Sequence, residues 1–478
     1  MSTSTSTPNP RTGLRIADLI APAQEAPARW SQLGVSPPAG VVIPSTEDDI
    51  VDALKTAAAN NLQVIPVGGA LSPFVPIDEK SLLLDMRDFQ DVSVETERGQ
   101  VTIGGGAIAG DVIQACAAEG CYTLTPNSNS VGMVGFLLGG GNSPFIGIHG
   151  LAADHILSVR IITAAGQILT LSPSSTGAEG DLFSTFRGAG HGLGVITSVT
   201  MPTFSTLSLN MPEDCVWIRR VTLPLAAVEH ASSAFLKLQE ARDSKLLSTL
   251  MFLRAPPGTP KLNPGEPIIA LTAQYYGPLL DAERYAAEIF TPALLERSIA
   301  TTTSSIPLHR MNDGTDFLNA PGEYKQLGNA LLRTIDLSSI QQGMTAWLEF
   351  GDTHADAKAR TIIFWASPAT TATATQNQNH HNIFLPTDNR TGFLQIFIWY
   401  TEPKTTVPAE EFMQEMLRVG RETDTNNGVV ARTLPNNQLL GRRGVKDVYS
   451  EEALMEIRRV KGVWDARGLF WSPAGGGV

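Results

Sequence analysis

Cysteine, basic residues and long apolar runs are all scarce in this chain. Its 478 residues include three cysteines with no Cys-x-x-Cys spacing and no Cys/His cluster, which argues against a disulfide framework or a metal site. Lysine and arginine total 35 against 47 acidic residues, and the net charge of −12 argues against nucleic acid or an anionic membrane as a partner. No run of about 18 apolar residues occurs, so no membrane span is expected.

The polar leader MSTSTSTPNPRTG has neither the basic segment nor the apolar core of a signal peptide. We therefore expect a disordered or extended segment over residues 1–27 and a cytoplasmic location. Hydrophobic residues make up 42% and charged residues 17% of the chain, a balance that favours a compact fold. The length predicts about two or three domains.

Glycine, in contrast, is abundant and clustered in the first half. A strand at 41–44, an amphipathic helix from Ile50 and a strand at 64–67 lead into the loop at 68–72. Small residues there allow backbone N–H groups to converge on an anion, although such a loop is more often an ordinary turn. Five glycines between 128 and 142 leave a surface on which a large flat ligand could lie, and close packing of elements is the alternative.

The pattern of apolar residues changes beyond about residue 210. Apolar runs of strand length alternate there with longer helical patterns, which predicts a second α+β domain. The low-complexity stretch 369–379 is expected to be an exposed loop.

Several motifs occur in a fixed order. They are PSTEDDI (44–50), GGALSP (68–73), IGGGAIAGD (103–111), VGMVGFLLGGG (131–141), GLAAD (150–154), AAGQI (164–168) and DLFSTFRGAGHGLGVIT (181–197), with VKGVWDARGLF (460–470) near the end. This series resembles the FAD-linked oxidoreductases of the vanillyl-alcohol oxidase superfamily, with their PCMH-type FAD-binding domain. The most similar branch is the berberine-bridge-enzyme-like and hydroxynicotine-oxidase-like group.

The resemblance implies an α+β fold with a two-subdomain, PCMH-type FAD-binding domain over residues 28–208. An α+β substrate domain, an antiparallel sheet flanked by helices, is inserted over 209–425, and 426–478 return to the FAD domain. FAD is the implied cofactor, and its implied contacts are Gly68, Gly69, Ala70, Leu71, Ser72, Ser128, Val131, Gly132, Gly135, Gly139, Gly140, Gly141, Asn142, Gly194 and Val195. No basic residue lies in the loop, so hydrogen bonds are expected to neutralise the pyrophosphate.

Two departures from the family pattern concern the covalent flavin links. The positions of the usual histidine and cysteine correspond here to Leu71 and Ser128. Leucine has no nucleophile, and a serine hydroxyl is much weaker than a thiolate. We therefore expect non-covalent, dissociable FAD with a lower reduction potential than in the linked relatives.

Four residues are candidates for catalysis. Tyr324, beside Lys325, could act as a phenolic acid or base, with a surface hydrogen bond as the alternative. Strand alternation places Trp399 and Tyr400 on opposite faces, one of which should look into the pocket, although aromatic residues are more often core. His149 stands where relatives often have tyrosine.

Three functions remain open from the sequence. The first is a flavin-dependent oxidoreductase that oxidises a small, largely apolar organic molecule, in secondary metabolism, with O₂ or another electron acceptor. The second is a redox-neutral cyclase or isomerase on the same fold, which the missing links and tyrosine also fit. The third is a binding protein without activity. Substrate identity and oligomeric state are not determined by the sequence.

Overall fold

The computed structural model describes residues 20–21, 26–241, 243–259, 261–368, 382–385, 390–434 and 445–473. Most of the expected N-terminal segment and the whole low-complexity stretch 369–379 therefore lie outside the described residues. Among the described helices, none has the length and apolar character needed to cross a membrane.

A small sheet begins the fold. Its elements are β1 (Ile20–Ala21), β2 (Gly40–Val42), α1 (Glu47–Ala59), β3 (Gln63–Val67) and β4 (Ser81–Asp85). The strand order is β1-β2-β4-β3, with the last three strands parallel. A capping box between Thr46 and Asp49 begins α1, because each side chain accepts the other residue's N–H. Ile50, Ala53, Leu54 and Ala57 form the buried stripe of that helix.

A second sheet is antiparallel, in the order β5-β6-β10-β8-β9. Its strands are β5 (Val92–Glu95), β6 (Gln100–Gly104), β8 (Ser158–Ile162), β9 (Ile168–Leu171) and β10 (Val195–Pro202), and β7 (Cys121–Tyr122) pairs separately with β11 (Phe204–Ser205). The accompanying helices are α2 (Ala109–Ala118), α3 (Met133–Leu138), α4 (Ile146–His149) and α5 (Gly177–Phe186). Together the two sheets carry the glycine-rich motifs on their connections.

A seven-stranded antiparallel sheet forms the middle of the chain, in the order β15-β12-β14-β13-β17-β18-β16. Its strands are β12 (Cys215–Pro224), β13 (Leu246–Arg254), β14 (Pro267–Tyr275), β15 (Ala300–Pro307), β16 (Tyr324–Leu332), β17 (Ile362–Pro368) and β18 (Gly392–Tyr400). The helices are α6 (Val228–Glu240), α7 (Leu279–Tyr285), α8 (Pro292–Leu295), α9 (Leu337–Thr353), α10 (Ala355–Lys358), α11 (Thr406–Gly420) and α12 (Glu422–Asn426). One face of the sheet packs on helices in a core that includes Trp347, Trp365 and Tyr400.

The C-terminal segment returns to the first sheet through α13 (Val445–Val448) and α14 (Glu451–Trp464). Val64 donates its N–H to the carbonyl of Leu469 at 2.8 Å. The buried carboxylate of Asp465 accepts from Lys461 and from the N–H groups of Leu469 and Phe470, so it fixes the turn after α14. The α+β class and the antiparallel sheet flanked by helices are confirmed.

Candidate active site

One cavity of about 720 Å³ lies where the three sheets meet. Its walls are the loop after β3, the glycine-rich segment around α3, and the face of the seven-stranded sheet that the helices leave uncovered. A volume of this size is typical of sites for small molecules and cofactors. The cavity therefore brings the sequence motifs and the seven-stranded sheet together at one place.

The loop at 68–72 presents unpaired backbone donors. No carbonyl or side-chain oxygen of the described residues accepts from the N–H groups of Gly68 to Ser72. Ala70 holds a left-handed backbone with φ of +54°, and its carbonyl accepts from the N–H of Trp30 at 3.1 Å. A run of unpaired N–H groups in such a loop forms an anion-binding concavity. The loop therefore fits a phosphate group.

Two different structural constraints explain why glycine occupies positions 69 and 135. A Cβ on Gly69 would lie 2.4 Å from the nitrogen of Gly132 and 2.5 Å from the carbonyl oxygen of Ser130, so two backbones touch here. A Cβ on Gly135, which lines the cavity, would meet nothing within 4 Å. Close packing therefore explains Gly69, and open space against a ligand explains Gly135.

Arg29 corrects the expectation that hydrogen bonds alone would neutralise an anion at this loop. Its guanidinium comes from the N-terminal segment, lines the cavity and donates to the carbonyls of Ser72 at 2.5 Å and Val75 at 3.3 Å. Burial lowers the pKa of Arg29 to about 10, which still leaves it charged at neutral pH, and its Nε has no partner in the described structure. The tertiary structure therefore places a positive charge beside a loop that has no basic residue of its own.

The cofactor residues expected from the sequence fall into two groups. Lining the cavity are Gly68, Gly69, Ala70, Leu71, Ser72, Ser128, Val131, Gly132, Gly135, Gly139, Gly141, Asn142 and Gly194. Gly140 and Val195 do not line it. A Cβ on Gly140 would meet the side chain of Leu385 at 3.0 Å, and Val195 is fully buried in the core with Ile162.

The two positions of the covalent links both face the cavity. Leu71 lines it, and the hydroxyl of Ser128 donates to Oδ1 of Asn319 at 2.6 Å. Among the described lining residues no cysteine occurs, and His191 and Tyr276 are the histidine and the tyrosine present. Neither expected linking position therefore carries a nucleophile suited to flavin attachment.

None of the four candidate catalytic residues lines the cavity. Tyr324 and Tyr400 stack on each other with ring centroids 5.5 Å apart, and Tyr400 donates its hydroxyl to Thr406 at 3.0 Å. They lie on the side of the sheet that packs against helices. His149 stacks on Phe204 at 4.0 Å, and burial lowers its pKa to about 4, so it is a neutral, half-buried residue outside the cavity.

Trp399 shares the strand face of Phe397 but lies beyond the end of the cavity. Its ring is covered by the ammonium of Lys325 at 4.1 Å and the guanidinium of Arg360 at 4.6 Å. Lys325 is buried and donates to the carbonyls of Trp30 and Gly322, so it joins the N-terminal segment to β16. The residue beside the candidate tyrosine is thus a structural cation.

The acid-base properties of Lys325 give a testable pH dependence. Burial lowers the pKa of Lys325 from 10.5 to about 8 in the folded protein. Between these values the unfolded chain binds more protons than the native state, so this group makes the free energy of unfolding rise with pH across that window. The rise in wild type relative to Lys325→Met should reach about 3 kcal/mol, measured by urea unfolding at several pH values. A difference independent of pH would contradict this account.

Sequence reasoning missed the residues that actually face the cavity from the seven-stranded sheet. They are Arg220 and Thr222 on β12, Leu247, Thr249, Met251 and Leu253 on β13, Ile268, Ala270, Thr272 and Gln274 on β14, Tyr276, Leu327 and Leu331 on β16, Ile362, Phe364 and Ala366 on β17, and Gly392, Phe393, Gln395 and Phe397 on β18. Apart from Gly392, the residues of each strand follow the alternation of period two. The alternation is readable in the sequence, but the identity of the face that meets the cavity is not.

Comparison with known proteins gives four findings that agree. An FAD binding domain model matches residues 38–172. The FAD-linked oxidoreductase azaG of Aspergillus niger is 25% identical over 450 residues, which cover 90% of this chain and 89% of that protein. The structure of Physcomitrella patens BBE-like 1 covers 95% of this chain and 96% of its own with a TM-score of 0.77 and 16% identity. The 6-hydroxy-D-nicotine oxidase of Arthrobacter nicotinovorans covers 95% and 93%, with a TM-score of 0.70 and 19% identity.

These findings confirm the family expected from the motifs. The chain is similar to FAD-linked oxidoreductases over most of its length, and it has the berberine-bridge-like fold. It is an FAD-dependent enzyme.

Proposed function

We propose that this protein holds FAD without a covalent bond and oxidises a small organic molecule with a largely apolar body. The observation that carries the proposal is the cavity, in which a loop of unpaired amides and a buried arginine stand beside an apolar wall. The proposal places the reaction in secondary metabolism and inside the cell. Deletion of the gene, followed by comparison of intracellular metabolites, tests that part.

The cofactor end of the cavity binds negative charge. The N–H groups of residues 68–72 and the guanidinium of Arg29 would hold a diphosphate, because both present donors to the same region. Gly135 leaves room where a side chain would otherwise project. FAD, when bound, supplies the acceptor for the hydride that leaves the substrate.

The substrate end of the cavity is apolar with isolated polar groups. Met251, Phe364 and Phe397 provide a wall that excludes water and positions an apolar body. Burial raises the pKa of Tyr276, so its hydroxyl stays protonated at neutral pH and donates hydrogen bonds. The site can therefore orient a substrate oxygen, and we propose O₂ as the first electron acceptor to test.

Acid precipitation is the direct test of non-covalent binding. Because Leu71 and Ser128 lack a suitable nucleophile, all flavin absorbance should move into the supernatant when the purified protein is precipitated with acid. Visible spectra of supernatant and redissolved pellet measure the partition.

Flavin that stays in the pellet would contradict the proposal and indicate another anchor. Among the described lining residues, His191 carries the imidazole that could form such a bond. His191→Ala would then release the flavin, and Leu71→Ala would leave it bound.

One observation favours a second candidate function, a redox-neutral cyclase or isomerase. Among the described residues that line the cavity, no aspartate or glutamate occurs, and Tyr276 is held protonated, so a strong carboxylate base is missing. Anaerobic mixing with candidate substrates separates the two functions. Loss of the flavin absorbance near 450 nm together with oxidised product supports the oxidoreductase, whereas product without loss of absorbance supports the cyclase.

A further inference from the structure

Arg220 is a cation on the cavity wall for which the described structure provides no anion. It lies on β12, lines the cavity and is exposed, and no described acidic residue forms an ion pair with it. Its Nε is 3.4 Å from the hydroxyl of Thr272, its cross-strand neighbour, which is a weak contact. The guanidinium is therefore available to a ligand in the cavity.

The two other arginines that line the cavity each donate to two backbone carbonyls. Arg29 donates to the carbonyls of Ser72 and Val75, and Arg390 donates to those of Leu331 at 3.2 Å and Val430 at 2.6 Å. Arg220 differs from both because, among the described residues, its guanidinium contacts one threonine hydroxyl at 3.4 Å.

Position separates Arg220 from the anion site at the loop. The segment of Arg29 contacts β16 at one edge of the seven-stranded sheet, where Gly322 donates to the carbonyl of Arg29. Strand β12 lies five positions away in that sheet, a distance of roughly 24 Å at the usual strand spacing. One anion at the loop cannot contact both guanidinium groups.

The electrostatic character of the cavity is opposite to that of the whole chain. The protein carries a net charge of −12, yet the described lining residues include arginines and no aspartate or glutamate. A low-dielectric cleft lined by one sign of charge concentrates ligands of the other sign. The cavity thus favours an anion at its substrate wall.

We propose that the substrate is an organic acid whose oxyanion is bound by Arg220 while its apolar body lies against Ala270 and Met251 on the next two strands. The planar guanidinium matches an oxyanion with two hydrogen bonds. The hydroxyls of Thr222 and Thr272 line the same region and add donors. This inference rests on the proposed function, because it names the class of molecule that the same site would oxidise.

The test compares acids with their neutral amides. The purified flavoprotein is titrated calorimetrically with 2-naphthoate against 2-naphthamide and with hexanoate against hexanamide. Wild type should bind at least one acid at least tenfold more tightly than its amide, and 500 mM NaCl should reduce that preference. Arg220→Gln should remove the preference, and Arg220→Lys should retain part of it.

Arg219→Gln is the matched control, because it removes the same charge one residue away. Arg219 faces the helices, with its guanidinium 4.1 Å from the ring of Phe290 and a 2.7 Å bond to Thr303. It should keep the wild-type preference. Equal binding of acids and amides by wild type, or a preference that survives in folded Arg220→Gln, overturns the inference. If Arg220→Gln does not fold, two other measurements test the inference. Wild type should lose its preference for acids over amides at high salt, and Arg220→Lys should retain part of that preference. Failure of both would overturn the inference.

Failure of the proposed function is distinguishable from failure of this inference. Calorimetry records binding without turnover, so an acid preference that depends on Arg220 would stand even if no acid reduced the flavin. Conversely, suppose that only neutral substrates reduce the flavin and that acids bind no more tightly than amides. That result would support the oxidoreductase function and overturn the inference that the substrate is an organic acid.

Discussion

Gly69→Ala is expected to abolish flavin binding and to lower the free energy of unfolding by about 3 kcal/mol or more. The added methyl group would lie 2.4 Å from the nitrogen of Gly132 and 2.5 Å from the carbonyl of Ser130, and both are backbone atoms that cannot rotate away. The loop at 68–72 would have to move off the segment before α3. Urea unfolding and the ratio of flavin to protein absorbance measure the two effects.

Gly135→Ala is the matched control for this prediction. Nothing lies within 4 Å of the added methyl group, and the position is inside α3, where alanine is favoured over glycine by roughly 1 kcal/mol. Stability should hold or rise, while FAD affinity falls because the methyl group enters the cavity. Equal stability losses in the two variants would show that the backbone contact at Gly69 is not the cause.

Arg29→Met should weaken FAD binding by about 10- to 150-fold. Charge-assisted hydrogen bonds contribute roughly 1.5–3 kcal/mol, and the substitution removes the guanidinium beside the loop without removing its apolar contacts. Titration of the apoprotein with FAD, followed by quenching of flavin fluorescence, gives the dissociation constant. The affinity of the variant should also depend less on NaCl concentration than that of wild type.

Arg29→Lys separates charge from shape. Lysine keeps the positive charge but cannot present the planar fork of donors, so its FAD affinity should fall between those of wild type and Arg29→Met. An affinity in Arg29→Met equal to that of wild type, with both proteins folded, would mean that Arg29 only joins the carbonyls of Ser72 and Val75.

The candidate catalytic residues show the limit of the alternation argument. The sequence places Trp399 and Tyr400 on opposite faces, and the structure agrees, since Tyr400 packs with the helices. Trp399 has the same parity as Phe397, which lines the cavity, yet it lies beyond the cavity under Lys325 and Arg360. Periodicity gives the two faces of a strand, but it does not give the point along the strand at which a cavity ends.

The sequence by itself determined the family, the cofactor class, the start of α1 and the loop that presents amides, because each depends on residues close together in the chain. The capping box at Thr46 and the glycine loop at 68–72 are examples of such local signals. Tertiary structure alone decided that Arg29 reaches that loop and that Arg220 faces the cavity. Those placements follow from the packing of segments far apart in sequence, and neither spacing nor periodicity encodes which distant surfaces bury each other.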